Sequence, residues 1–453
     1  MSAVSQTDTA SVAVAGEKQI GLWGLVALAA GQVVGAGVVT LVGATIPSTG
    51  RSVWIAYGVA VILGFCTIFP YIMLACMMRV KGGNYTFVSS LLGNKWGGMF
   101  GLAFTLNMFA VGMIALSFGS YLNALVPTVD VKTSAIVVLT VFWISSMLGI
   151  DFMARIQKIM MVALIIGMFG FIGAGLFNLR PGTFDFSAPE FFTGGFEGFC
   201  AAVMVLIFSC IGHSYVVAFS KEAKDAKKNI PYAIIISSVF ILVLYVLVAI
   251  VASGVLPLEE VAGKPLTLVA AAILPGPIYY AFIILGPLMV LTTTINSCFG
   301  VFSKPLLQMA RDGWFPRAFA ATNRRGAPYL VMTVLYIMAV LPVAAGLDIR
   351  TITSNVVLIQ RLIDIMAIVA VIILPSRLPD AWDNRYFRMS KPVYYIVMSF
   401  SMLVTLFILG ISLRNLTTTL ITVTTVIIAF CYFYTSLRQK MGKVAIEKSY
   451  ELQ

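Results

Sequence analysis

Residues able to do chemistry are few in this chain, and they sit in unexpected company. The single histidine, His213, stands in a long apolar run with Ser209 on one side and Ser214 next to it, just after Gly212. A nucleophile and a base come together nowhere else, so an enzyme reading would rest on this spot alone. Two other readings stay open: a neutral imidazole donating to a backbone carbonyl, or a group that titrates or meets a solute beside an interrupted helix. A second polar spot is Gln360, Arg361 and Asp364. Arg361 and Asp364 are three apart, so on a helix they share a face and can pair. Either alone in a bilayer costs roughly 3 kcal/mol on insertion scales. They are read either as an ion pair locking one helix to its neighbours or as a proton-linked or solute-reading site. The third spot has no side-chain chemistry at all. Gly31, Gly35, Gly37 and Gly43 fall in one apolar run. Scattered glycines let membrane helices approach closely, but Gly35-Ala36-Gly37 also weakens a helix at its middle. A half-helix starting there would bare peptide N–H groups suited to a carboxylate.

The elements that carry these spots are set by composition. The chain has 453 residues, of which 60% are hydrophobic and 11% charged, and its mean hydropathy is +0.98. A soluble globular chain is about a quarter charged, so this one has too few charges to cover a surface in water. Its apolar residues come in runs of the length that crosses a hydrocarbon core. Twelve are expected: 20–46, 53–78, 98–126, 134–150, 159–178, 199–219, 231–256, 277–303, 328–345, 355–374, 392–413 and 416–436. Alternating ten-residue segments of a barrel are absent, so the fold class is all-α polytopic membrane protein, with backbone polar groups satisfied inside helices.

Twenty-three of the 30 Lys and Arg fall in the two tails and the even-numbered connections; six fall in the odd-numbered ones, and Arg361 is inside a run. Positive charge collects on the cytoplasmic side, so both termini are expected there, in a multi-pass protein of the cell membrane. The net charge of +12 is this topology signal together with attraction to anionic membrane lipid; no basic soluble domain is present to bind nucleic acid. Cys66, Cys76, Cys200, Cys210, Cys298 and Cys431 all lie in apolar runs, so no disulfide frame or metal site is expected. No cofactor is expected either. Residues 1–17 are small and polar and read as a disordered tail, and 437–453 as a second tail.

No Walker motif or paired metal ligands appear, which argues against ATP-driven pumping by this chain alone. A transporter, a channel, an intramembrane enzyme or a membrane scaffold remain. The glycine-weakened first run and the polar, Gly212-interrupted sixth run are five apart. Transporters built from two five-helix inverted repeats place interrupted helices at matching positions around a midplane solute site. The expected division is therefore a first repeat over 18–178, a second over 179–375, and two further helices over 376–436.

Several stretches resemble the amino acid–polyamine–organocation superfamily of permeases. Gly35-Ala36-Gly37-Val38-Val39 is similar to that family's first-helix glycine signature. The loop "KGGNYTFVSSLLG" resembles its second-helix loop at Gly82, Gly83, Tyr85 and Gly93. Phe208-Ser209-Cys210-Ile211-Gly212 and the stretch Glu222 to Ile234 resemble its sixth-helix motif. "INSCFGVFSKPLLQMARDGWFPRAFAATNRRGAPY" resembles its eighth-helix motif at Asn296, Arg311, Asp312, Gly313, Pro316, Asn323 and Pro328. The resemblance covers about residues 18–435.

It implies a LeuT-like core of ten helices in two inverted repeats, with helices 1 and 6 broken, working by alternating access. It implies a solute whose carboxylate meets amides of Val34, Gly35, Ala36, Gly37 and Val38. The solute's amine would meet carbonyls of Phe208, Ser209 and Ile211 beside Gly212. Phe208 would be the aromatic gate. This sequence departs from the family pattern in ways that narrow the solute. Leu164 stands where many members carry a fifth-helix lysine, Lys158 being too early in the run. Ser214 and Cys298 stand where arginine and polyamine antiporters carry a Glu and a Trp, so a cationic side chain would lack its carboxylate and its stacking surface. His213, Ser214, Cys298, Gln360, Arg361 and Asp364 are the positions expected to set specificity or proton linkage. The expected function is secondary transport of amino acids or close derivatives, by exchange or proton coupling. An amine or polyamine exchanger is the runner-up, and a passive channel a rival.

Overall fold

The computed structural model describes residues 19–347, 349–414, 418–446 and 450–451; the tail expected over 1–17 lies outside them. The first apolar run forms α1 (Leu22–Val33), an irregular turn and α2 (Val42–Thr49). Next come α3 (Val53–Met77), a short α4 (Asn84–Leu92), α5 (Asn94–Leu106), α6 (Phe109–Leu125), α7 (Val131–Ser146) and α8 (Ile150–Leu176). After a looped stretch come α9 (Gly195–Ile207) and, beyond a break, α10 (Ala226–Gly254). The short helices α11 (Leu258–Val261) and α12 (Leu266–Ile273) lead to α13 (Gly276–Ile283) and α14 (Met289–Arg311). A wide turn around Pro287 joins α13 to α14; proline has no N–H to give the helical ladder, and a loosened turn absorbs the loss. The remaining helices are α15 (Tyr329–Ala344), α16 (Ile349–Arg377), α17 (Pro379–Asp383), α18 (Lys391–Arg414) and α19 (Thr418–Lys440).

Among the described residues nine helical stretches are long and apolar enough to cross a membrane, and α7 and α15 are shorter apolar helices. The first of the nine, Leu22–Met77, overlaps both of the first two expected runs, and each of the other ten runs overlaps a stretch or a short helix. The helix cluster exposes large apolar side chains outward, Ile159, Ile166, Leu403, Phe407, Phe430 and Phe433 among them. In water such a surface would aggregate; in lipid it is the solvated face. Helices α18 and α19 carry four of these six, so they lie at the periphery. At the centre α1 packs on α10 and α14, and α3 packs along α10.

The connections sort into two groups. Arg51, after the first expected run, bonds Glu190 at 3.0 Å and the Ser253 carbonyl at 2.8 Å. Gly263 N–H reaches Gly43 O, and Lys132 donates to Ala344 O at 3.0 Å. Each of these ties an odd-numbered connection to another one or to a helix end next to one. Even-numbered ones do the same: Arg79 donates to the Ser220 and Lys221 carbonyls, Lys304 pairs with Glu222, and Asn323 donates to Met147 O at 2.8 Å. Ile20 N–H donates to Glu222 O, and Ala445 N–H to Asp312 O. A two-residue strand β1 (Arg79–Val80) pairs antiparallel with β2 (Tyr450–Glu451) at the same end. Asp130 caps α7, accepting from the Thr133 N–H at 2.8 Å, and that bond holds its carboxyl below the usual carboxylate range.

Candidate functional site: a cavity between two broken helices

The first break follows from its glycines. α1 ends at Val33, the chain bends at Val34 and Gly35, and it resumes as a wide helical turn over Gly37–Leu41. Carbonyls freed by such a break need donors, since no water reaches them in a bilayer core. Four hydroxyls on four helices supply them. Thr294 of α14 lies 2.9 Å from Gly31 O and 3.0 Å from Val34 O. Tyr57 of α3 donates to Gly37 O at 3.0 Å, and Tyr121 of α6 to Val39 O at 2.5 Å. The Tyr245 hydroxyl of α10 lies 2.9 Å from Val33 O and 3.2 Å from Ser209 O, so one hydrogen serves a carbonyl of each break. The close fit demands glycine at two positions. A Cβ on Gly35 would stand 2.7 Å from the Thr294 hydroxyl, and one on Gly37 would overlap the Ser209 side chain. Among the described residues no acceptor faces the Gly35 N–H.

The second break follows α9. The helix tightens over Phe208–Cys210, Ile211 is extended, and Gly212 takes φ 124°, a conformation L residues rarely adopt. The chain then winds as a tight three-residue-per-turn helix over His213–Phe219. Ser209 bonds back to Leu206 O at 2.7 Å. Among the described residues no donor faces the Ile211 carbonyl.

Between the breaks lies a cavity of about 130 Å³. Gly35, Ala36 and Gly37 line it from one side and Phe208, Ser209, Ile211 and Gly212 from the other. Cys298 and Gln360 line it too. The remaining expected site residues do not. Val34 and Val38 pack their side chains in the core. His213 is buried against α10, with Nε2 2.7 Å from the Ser238 hydroxyl, and Ser214 is buried nearby. Arg361 and Asp364 pair at 3.0 Å within α16, off the cavity. Leu164 is fully buried. Sequence reading missed Gln32, Thr40, Asn107, Ser117, Tyr215 and Thr294, polar residues that also line the cavity. No Asp, Glu, Lys, Arg or His is among the lining residues.

A larger cavity of about 520 Å³ opens at the end where the even-numbered connections meet. It is lined by Lys81, Lys221, Arg311 and Arg325 with Asp151 and Glu222. It is a charged vestibule and not the site between the breaks. Tyr215 and Phe302 line the small cavity, while Ala218 and Ser303 on the same two elements line the large one. Phe104 packs edge-on against Tyr215 and at a tilt against Phe302, with ring centroids 5.0 and 5.1 Å away.

A bundle of apolar helices with a solute-sized hollow at two mid-bundle interruptions is the architecture of a membrane transporter. Comparison with known proteins agrees: the chain belongs to the amino acid permease family, whose model matches residues 20–431. It is 25% identical to the branched-chain amino acid permease BcaP of Bacillus subtilis over 80% of this chain and 82% of that protein. It is 26% identical to the vacuolar cationic amino acid transporter 2 of Arabidopsis thaliana, over 79% of this chain and 59% of that one. An uncharacterized protein of Methanocaldococcus jannaschii is 24% identical over 67% of this chain and 71% of its own length. The protein is thus a multi-pass membrane protein of an amino acid transporter family and not an enzyme.

Proposed function

We propose that this chain is a secondary transporter of neutral amino acids, working by alternating access through exchange or proton coupling. The observation that carries the reading is the hollow itself. It lies where two helices break, one break offering an N–H at Gly35 and the other a C=O at Ile211, neither with a partner among the described residues. A zwitterion supplies the missing partners: carboxylate to the first, ammonium to the second. The absence of a carboxylate from the lining counts against a cationic side chain, because a buried charge without a partner is costly. It therefore weakens the amine or polyamine exchanger reading. The largely apolar wall fits a short neutral side chain, and one relative's name specifies branched-chain amino acids.

The layout proposed is twelve crossings, ten of them in two inverted repeats over 18–178 and 179–375. Support comes from the pairing of odd with odd and even with even connections. The Lys and Arg excess in the even set supports cytoplasmic termini at both ends. Phe208, half-buried at the cavity wall, is the gate in this reading.

The test is counterflow in proteoliposomes. Unlabelled amino acid inside should accelerate entry of labelled amino acid. Entry that is indifferent to internal amino acid marks a channel, and no entry of any amino acid ends the proposal.

A further inference from the structure

Gln360 lines the cavity, and its orientation is fixed by chemistry. Its Nε2 lies 2.8 Å from Asp364 Oδ1. The Asp364 carboxylate is paired with Arg361 Nη2 at 3.0 Å through its other oxygen, and Tyr71 also donates to Oδ1 at 3.1 Å. A carboxylate only accepts, so the amide must present its NH₂ to Asp364 and its oxygen elsewhere. That oxygen, Oε1, is buried and has no donor among the described residues, in a residue only 4% exposed. A buried acceptor left unpaired is costly, so such a group calls for a partner from outside the chain. Gln32 makes the contrast. It too lines the cavity with an unpaired Oε1, but its Nε2 faces the Cys298 thiol at 3.2 Å. A thiol both donates and accepts, so the Gln32 amide is free to turn over.

We infer that Gln360 is a specificity residue that reads a hydrogen-bond donor on the solute's side chain, with Asp364 as its positioning residue. The inference rests on the transport reading above and adds the class of solute: short neutral amino acids carrying a hydroxyl, threonine and serine above their aliphatic equivalents. The buried ion pair, off the cavity, acts on the solute only through this amide. Threonine and valine are nearly the same shape, so their comparison isolates the hydroxyl.

The experiment measures binding of L-threonine and L-valine to the purified full chain in nanodiscs, by ligand-induced thermal stabilisation. The wild type is expected to bind threonine roughly three- to tenfold more tightly than valine, the worth of one neutral hydrogen bond. In Gln360→Met, which keeps the length and loses the acceptor, that ratio should fall to about one. In Asp364→Asn, which lets the amide turn either way, it should fall part of the way. A wild type that binds valine as tightly as threonine overturns the inference without any variant. So does a Gln360→Met protein whose ratio is unchanged, which would make the oxygen a partner of the ammonium common to all amino acids. Failure of the wild type to bind any amino acid would instead sink the transport reading, and this inference with it.

Discussion

The two breaks that face the cavity are held in opposite ways. The first is braced from outside: Thr294, Tyr57, Tyr121 and Tyr245, from four different helices, donate to its freed carbonyls. The second is held mainly by its own chain. Ser209 and Cys210 bond back to Leu206 O, Gly212 supplies the backbone angle, and the carbonyl at Ser209 takes the Tyr245 hydroxyl shared with the first break. The difference bears on function. In the first break five carbonyls, those of Gly31, Val33, Val34, Gly37 and Val39, are occupied by hydroxyls, which leaves the Gly35 N–H to face the hollow. In the second an acceptor stays open at Ile211. Polarity across the cavity thus comes from which carbonyls the neighbouring helices cover, with no charged side chain needed. It also suggests that the first break is a fixed wall and the second the more yielding one.

The largest effect should come from forcing the two breaks apart. Gly37→Leu would drive a side chain into Ser209, and no rotamer avoids a clash that begins at Cβ. Transport should be lost while the protein still inserts and elutes as a single species, since the surrounding helices keep their apolar faces. Normal uptake by this variant would show that the breaks do not meet in the working protein. Next is the hydroxyl common to both breaks. Tyr245→Phe leaves Val33 O and Ser209 O without it. Because this hydroxyl serves two carbonyls, its loss should cost up to about 1.7 kcal/mol, the top of the range for interhelical hydrogen bonds in membranes, read as a lower melting temperature in detergent. An unchanged melting temperature would mean that water or a mobile neighbour serves those carbonyls, and the idea of a braced wall would fail.

The sequence showed where helices must fail and little of what repairs them. Gly35-Ala36-Gly37 and Gly212 are local signals, because a missing Cβ and a left-handed φ are properties of single residues. The apolar runs were equally legible, since a helix that crosses lipid needs its length written in sequence. The short helices α4, α11 and α12 were not read, because brief amphipathic turns between runs carry no such length signal. The bracing tyrosines were invisible for another reason. Tyr245 is 212 residues from Val33, and one of 17 tyrosines in the chain is marked for that role by nothing nearby. Arg361 and Asp364 were legible as a pair from their spacing, but which way the pair faces depends on how α16 turns against its neighbours. His213 looked like chemistry because it stood beside a break; as the first residue of the tight helix after Gly212 it faces α10 and meets Ser238 instead.

A smaller effect tests the second break alone. Gly212→Ala has room, its nearest neighbour being 3.6 Å from the new carbon, so its cost is purely one of backbone angle. Holding an L residue at φ 124° should cost roughly 1–2 kcal/mol, read as destabilisation in the solute-free protein. Because the yielding break can relax toward an ordinary helix, solute affinity should drop as well. Destabilisation with affinity intact would show that Ile211 O keeps its place without the glycine, and that the second break is as firmly held as the first.

The smallest effect separates one brace from the rest. Tyr57→Phe removes the donor to Gly37 O but keeps the ring packed edge-on against Tyr245, 5.2 Å between centroids. Interhelical hydrogen bonds in membranes are worth about 0.6 kcal/mol on average, so the melting temperature should shift only slightly. Three other hydroxyls still hold the first break, so affinity should stay close to that of the wild type. A loss of affinity larger than that of Gly212→Ala would reverse the comparison. It would mean that the first break hangs on a single hydroxyl at Gly37, and that its rigidity is not shared among four helices.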